Sequence, residues 1–541
     1  MSKKIKIAAT AVAAACLLCM VPFSGCSETE DTVTLRVANW EEYIDLGGWD
    51  EDEVIDLDGE EIFGENSVVD DFAEWFNSQD YGFKVKVEYS TFGTNEDLYN
   101  QLNLGDVYDL VCPSEYMIMK LMKEGKLLKY SDEFKKESVE GNYYTQGVSD
   151  YIIESISDIG DYDLTEYAAC YMWGTTGLVY NHDEVNEDDV STWSILTNTD
   201  YEKAVTVKDN VRDAYFAALS IHYAEELDAI NADSSMTEDE KTEARSQLLN
   251  ATDDETIAAA EDILKDIKEN VYSFETDSGK SDMVTGKVLA NFQWSGDAVY
   301  IMDEADAAAE ESEDGTELWF SVPDESTNLW FDGWVMLKDG IDGNANRQTA
   351  AEAFVNFISR PDIAVRNMYY IGYTSSIADE MVFDYFDWCY GVVTDKSDED
   401  YYEFENIYVY DVSYFFGDDS YIYIDMDTIS VDGAAVTYAY SNDEYVSGYT
   451  VYEGGTISSG RQVFAQYPTT EVIERSVIMQ DFGDDLAAIN QMWINVRCLD
   501  ITDISVTIVV VVAIVIAAIV AAICLYRFRY KLFYKKRRKT A

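Results

Sequence analysis

The chain has 541 residues, 47% hydrophobic and 14% aromatic, and sets 105 acidic residues against 37 basic ones for a net charge of −68 at pH 7. A field of that sign repels nucleic acid and anionic headgroups and concentrates cations at the surface. With only His182 and His222, and with Cys112, Cys170, Cys389 and Cys498 spread along the central region, there is little material for a zinc site, a Cys–His nucleophile or a disulfide framework.

At the N-terminus, three lysines within residues 3–6 precede an apolar run over 7–20 and the segment Val21-Pro-Phe-Ser-Gly25-Cys26. This is the layout of a signal peptide, here of lipoprotein type over residues 1–26, with Cys26 as the expected lipidation site. From residue 32 the chain alternates between strand-like stretches (34–38, 84–88, 109–112) and helix-like ones (68–77, 98–104, 118–125). Strands separated by helices predict βαβ units and a mainly parallel sheet, with ligands bound beyond the carboxyl ends of the strands, at Asn39 and Pro113 onward. Residues 228–255 and about 380–460 read as acidic insertions, the second dense in Tyr and patterned as hairpins with solvated faces. Residues 506–526 are apolar apart from Thr507 and would extend about 31 Å as a helix at roughly 1.5 Å per residue, enough to span a bilayer. Eight basic residues and no acid follow, which predicts a transmembrane helix over 504–526, a cytoplasmic tail over 527–541 and an outward-facing ectodomain.

A series of motifs runs through the ectodomain in order. They are Asn39-Trp-Glu-Glu-Tyr43, Tyr89-Ser-Thr91 with Asn95-Glu96, Tyr108-Asp-Leu-Val-Cys-Pro-Ser-Glu-Tyr116 and Trp173-Gly-Thr-Thr-Gly177. Asp209-Asn-Val-Arg-Asp213, Phe292-Gln-Trp-Ser-Gly296, Leu329-Trp-Phe-Asp332, Phe357-Ile-Ser-Arg-Pro-Asp362 and Tyr370-Ile-Gly-Tyr373 follow. On these motifs the chain resembles the spermidine/putrescine-binding proteins of bacterial polyamine ABC importers over nearly all of residues 33–500.

The resemblance implies an α/β, two-lobed periplasmic-binding-protein-like fold (type II) with a hinge, here with the C-terminal transmembrane helix added. Residues 32–168 and 333–372 would form lobe I, 169–332 lobe II, and 373–500 the C-terminal helices with the acidic Tyr-rich insertion. It also implies a polyamine ligand, putrescine or spermidine, delivered to ABC permease subunits that work with a cytoplasmic ATPase, with no catalysis, cofactor or metal. The pocket positions carried over are Trp40, Glu42, Tyr43, Ser114, Tyr116, Asn210, Asp213, Trp294, Trp330, Asp332 and Tyr373, with Gln480 added by anchoring the last helix on 489–496.

The chemistry suits these residue types. Carboxylates offset the cost of desolvating an ammonium, and aromatic faces grip the methylene stem with cation–π attraction of roughly 0.5–2 kcal/mol per ring. Side chains two apart on an extended segment share a side, which would put the Trp330 indole beside the Asp332 carboxylate. Asp213 could instead serve only to stabilise a helix N-terminus. Asn210 and Asp213 stand where the family often has aspartate and glutamate, which puts spermidine preference in doubt and favours the shorter putrescine. A membrane-anchored polyamine sensor is the alternative, although the 15-residue tail holds no signalling domain. A hydrolase built on Glu41 and Glu42 fails because neighbouring side chains on a strand point apart.

Overall fold

The computed structural model describes residues 32–498, apart from 51–52, 58, 161, 312–315, 394–405 and 442–443, together with 515–523. It divides into two compact units after Asp485, and the functional residues lie in the first.

Strand Thr32–Trp40 buries Val33, Leu35 and Val37 at period two and pairs in parallel with Lys84–Phe92, from Thr32↔Lys84 to Trp40↔Phe92. Between them runs helix Val68–Ser78. Its orphan N–H groups are met by Ser67, whose Oγ accepts from the Asp70 amide, and its apolar stripe of Val68, Phe72 and Phe76 is buried at helical spacing. Leu110–Val111 adds a further parallel strand beside Val37 and Ala38. The loop after Trp40 is clamped: Arg366, on helix Pro361–Ile371, donates to Asp45 Oδ2 from Nε (2.9 Å) and Nη2 (2.6 Å) and to Asp71 from Nη1 (2.7 Å). The other Asp45 oxygen accepts from the Gly47 amide and the Trp49 indole.

Two long, fully buried strands, Ala168–Asn181 and Thr327–Leu337, pair antiparallel from Leu329↔Thr175 to Val335↔Ala168. At one end Thr327–Leu337 also pairs with Leu110–Val111 and Leu127–Leu128. At the other end Ala168–Asn181 pairs with Ala290–Trp294 and Leu318–Ser321. The expectation of a mainly parallel sheet therefore needs correcting: the two long strands pair antiparallel with each other and with most of their neighbours, the parallel pairing of Thr327 and Asn328 with Ser476 and Val477 being the exception. The pairing slips between Asp332 and Gly333, whose partners are Met172 and Cys170, leaving Tyr171 as the extra residue of a bulge. Beside it Ser114 bridges to Asp332, and the Gly333 amide donates to the Pro113 carbonyl at 3.0 Å.

Residues 228–255 contribute to three helices, Ala224–Ala232, Glu238–Leu249, which opens on a Thr237/Glu240 capping box, and the start of Asp254–Asn270. In the 380–460 region the expected hairpins are only part of the arrangement. Asn406–Asp411 pairs antiparallel with Tyr421–Asp425 but parallel with Glu444–Glu453, and Thr456–Gly460 extends the main sheet at Leu318–Ser321.

Among the described residues no helix is long and apolar enough to cross a membrane. Of the expected span over 504–526, residues 515–523 are described, as a helix with exposed side chains. The rest of that span, the basic tail and the signal peptide with Cys26 lie outside the described residues.

Candidate functional site

Asp332 sits at the bulge in the pairing of the two long strands, buried at 6% exposure. Its Oδ2 accepts from the Tyr43 hydroxyl at 2.8 Å and its Oδ1 from the Ser114 hydroxyl at 2.7 Å. Asn95 holds Ser114 in place, donating from Nδ2 to Ser114 Oγ (3.0 Å) and to the Tyr116 hydroxyl (2.9 Å), while its Oδ1 accepts from the Ser114 amide (3.1 Å). Burial pushes the Asp332 carboxyl up to about 6, against the two hydrogen bonds that pull it down. Among the described residues no lysine or arginine forms an ion pair with it.

Aromatic rings surround this carboxylate. Tyr43 meets Tyr373 edge-on at 5.1 Å between centroids, Tyr373 meets Trp330 at 5.6 Å, and Tyr43 meets the bulge residue Tyr171 at 5.6 Å. Two glycines make room for them. A Cβ at Gly174, opposite Trp330 on the neighbouring strand, would lie 2.7 Å from the indole and 2.3 Å from Ser295 Oγ; one at Gly296 would lie 2.2 Å from the Tyr373 ring. Gly296→Ala is therefore expected to cost about 1–3 kcal/mol through overpacking. A thermal melt checks this, and an unchanged midpoint would mean that the Tyr373 ring yields freely.

A second group lies at the end of strand Val205–Lys208 and the start of helix Val211–His222. The Lys208 ammonium stands 4.2 Å from the Trp294 ring centroid, 3.7 Å from Asp297 Oδ2 and 3.9 Å from Glu275 Oε1, and donates to the Thr276 carbonyl at 2.9 Å. Lys280 pairs with the other Asp297 oxygen at 2.9 Å. Tyr373 lies close enough to Asp297 to feel its charge, which joins this group to the first. Asp213 is hydrogen-bonded by Trp294, yet its Oδ2 is buried without a partner, and burial lifts its carboxyl to about 6 despite Lys208 nearby.

The structure thus brings together Tyr43, Ser114, Tyr116, Trp330, Asp332 and Tyr373 in one group, and Asp213 and Trp294 in the other. Trp40 stands on Phe92 at 5.0 Å, its indole N–H buried without a partner. Asn210 caps its helix by accepting from the Arg212 amide. Glu42 is exposed, with φ at 54°, and its charge is felt by Lys280, Tyr300 and Tyr370 rather than by Asp332. The Gln480 side chain turns to Ser246, and only its carbonyl meets this region, accepting from Arg212 Nη1.

Sequence reasoning missed Asn95, Lys208, Arg212, Glu115 and Asp297. Arg212 lies between the Tyr116 and Phe482 rings, 3.8 Å from each centroid, and Glu115 accepts from the Phe331 amide at 3.0 Å with its carboxyl lifted by burial to about 8. Each of the five sits inside, or one residue beyond, a motif already singled out. That adjacency was the available signal.

Long strands crossing between two α/β halves beside an aromatic, carboxylate-bearing site define a two-lobed binding-protein fold. The chain belongs to the family of bacterial extracellular solute-binding proteins, whose family model matches residues 68–381. Among its relatives is the spermidine/putrescine-binding periplasmic protein of Salmonella typhimurium, 26% identical over 292 residues, covering 53% of this chain and 70% of that one. The putrescine-binding periplasmic protein SpuD of Pseudomonas aeruginosa is 25% identical over 352 residues, covering 63% and 77%. A solved structure from Listeria monocytogenes superposes with a TM-score of 0.51 at 19% identity, over 86% of this chain and 98% of that one, which places the fold.

Proposed function

We propose that the chain is the substrate-binding component of an ABC importer for polyamines, capturing putrescine or spermidine outside the cytoplasm and delivering it to a membrane permease served by a cytoplasmic ATPase. The observation that carries this reading is Asp332: a buried carboxylate, held by Tyr43 and Ser114, ringed by Trp330 and Tyr373, and paired with no protein cation among the described residues. A carboxylate oxygen that accepts one hydrogen bond retains acceptor capacity for a second, so each Asp332 oxygen can still receive an ammonium N–H. The ring faces of Trp330, Tyr373 and Tyr43 would pack the methylenes between ammonium groups. The names of the relatives agree in pointing to such ligands. In the same reading, lipid on Cys26 and the apolar C-terminal segment hold the receptor at the outer face of the membrane, raising its effective concentration near the permease.

Calorimetric titration of the full-length chain against putrescine, spermidine and lysine tests the assignment. Saturable binding of at least one polyamine, with lysine bound far more weakly, is expected; equal binding of lysine, or no binding of either polyamine, would sink it.

A further inference from the structure

The group around Trp294 has the make-up of an ammonium-binding station, and the protein's own Lys208 fills it. The lysine is fully buried. Its Nζ lies over an indole face at 4.2 Å, within 4 Å of Asp297 and Glu275, with one N–H satisfied by the Thr276 carbonyl. Indole face, carboxylates and carbonyl are the partners an amine ligand would need. Lys280 takes the remaining Asp297 oxygen, so this station is closed to a further cation. Three buried carboxyls of the site have no ion pair; Glu115 accepts from the Phe331 amide and is kept protonated by burial, which leaves two as acceptors for an amine, Asp332, and Asp213 with its unpartnered Oδ2. Two free acceptors match two ammonium groups, and a third ammonium would meet the Lys208 charge.

We infer that Lys208 is a specificity-determining residue: its ammonium occupies a cation station that the cleft would otherwise offer to a third amine, so the site takes a diamine in preference to a triamine. This deepens the polyamine reading above and rests on it. The basis is distinct from the Asn210 and Asp213 departures, because it lies in an added cation rather than in a lost or shortened acid. Like-charge exclusion of this kind separates ligands that an attractive site alone would not.

The test is the ratio of putrescine to spermidine affinity in the full-length chain and in Lys208→Met, which keeps an unbranched side chain one atom shorter and removes its charge. Wild type is expected to bind the diamine about tenfold or more tightly than the triamine, and K208M to shift that ratio at least about tenfold toward the triamine. Using the ratio removes any general gain for cations that follows from deleting a positive charge. A K208M ratio that is unchanged, or moved toward the diamine, overturns the inference. If K208M gives no cooperative melt, the wild-type ratio decides, and a triamine bound as tightly as the diamine overturns it. A wild type that binds the diamine while K208M shows no shift removes only the role of Lys208; a wild type that binds neither amine removes the polyamine reading and this inference together.

Discussion

Asp332→Asn is expected to weaken polyamine binding by about 2–5 kcal/mol, roughly 30-fold or more, while moving the melting temperature of the unliganded protein little. The expected loss is large because the variant would leave a buried ammonium facing an amide instead of a carboxylate, with the rings around it keeping water out. Stability moves little because two effects oppose each other. The ionised carboxylate has no protein cation beside it, and lifting its pKa to about 6 corresponds to on the order of 3 kcal/mol against the charged form. Asn removes that penalty, but it also replaces one of the two oxygens that accept from Tyr43 and Ser114 with a donor. Calorimetry and a thermal melt on the same samples separate the two quantities. Wild-type affinity in the variant would mean that the ligand does not meet Asp332.

Polyamine affinity should fall steeply below about pH 6 while the unliganded protein gains stability over the same range. Asp332 and Asp213 are both lifted by burial to about 6, and each must be ionised to receive an ammonium. Amines of ordinary basicity keep their charge throughout, so the loss lies with the receptor: about tenfold per carboxylate per pH unit, and roughly 100-fold by pH 5 relative to neutral pH. The sign for stability is opposite. A carboxyl whose folded-state pKa is raised contributes stability that is fully present below its unfolded value near 4 and is lost as pH rises through about 6. Glu115, lifted to about 8, stays largely protonated in the folded protein while its unfolded counterpart ionises near 4, so it adds to the same stability trend across this window. Titrations at pH 5, 6 and 7.5, each with a matched melt, read both trends; a flat binding profile would contradict the roles given to the two aspartates.

How far the site was legible depended on whether neighbouring residues in the chain act together. Trp330 and Asp332 stand two apart on one extended strand, and alternation alone predicted that they share a side; both reach the Tyr43–Tyr373 ring pair. Strand Thr32–Trp40 and helix Val68–Ser78 were likewise legible, because their periodicity is local. Lys208 was not. A lysine ending a strand reads as a solvated terminus, and only the packing of Trp294, Asp297 and Glu275 from distant parts of the chain makes it a buried cation. Gln480 was aligned by counting back from a helix, which fixes its place in the chain but not its rotamer, and its side chain faces Ser246. Glu42 carries the right charge in the right loop, yet a left-handed backbone at φ 54° leaves it at the surface. The bulge that adds Tyr171 to the ring cluster arises from a register slip between two strands more than 150 residues apart, which no single-strand pattern encodes.

A crystal structure of the full-length chain with putrescine tests the central claim most directly. One ammonium nitrogen is expected within hydrogen-bonding distance of an Asp332 oxygen, with the methylenes lying along Trp330 and Tyr373. Diamine density elsewhere on the molecule, with Asp332 bonded only to Tyr43 and Ser114, would contradict the assignment.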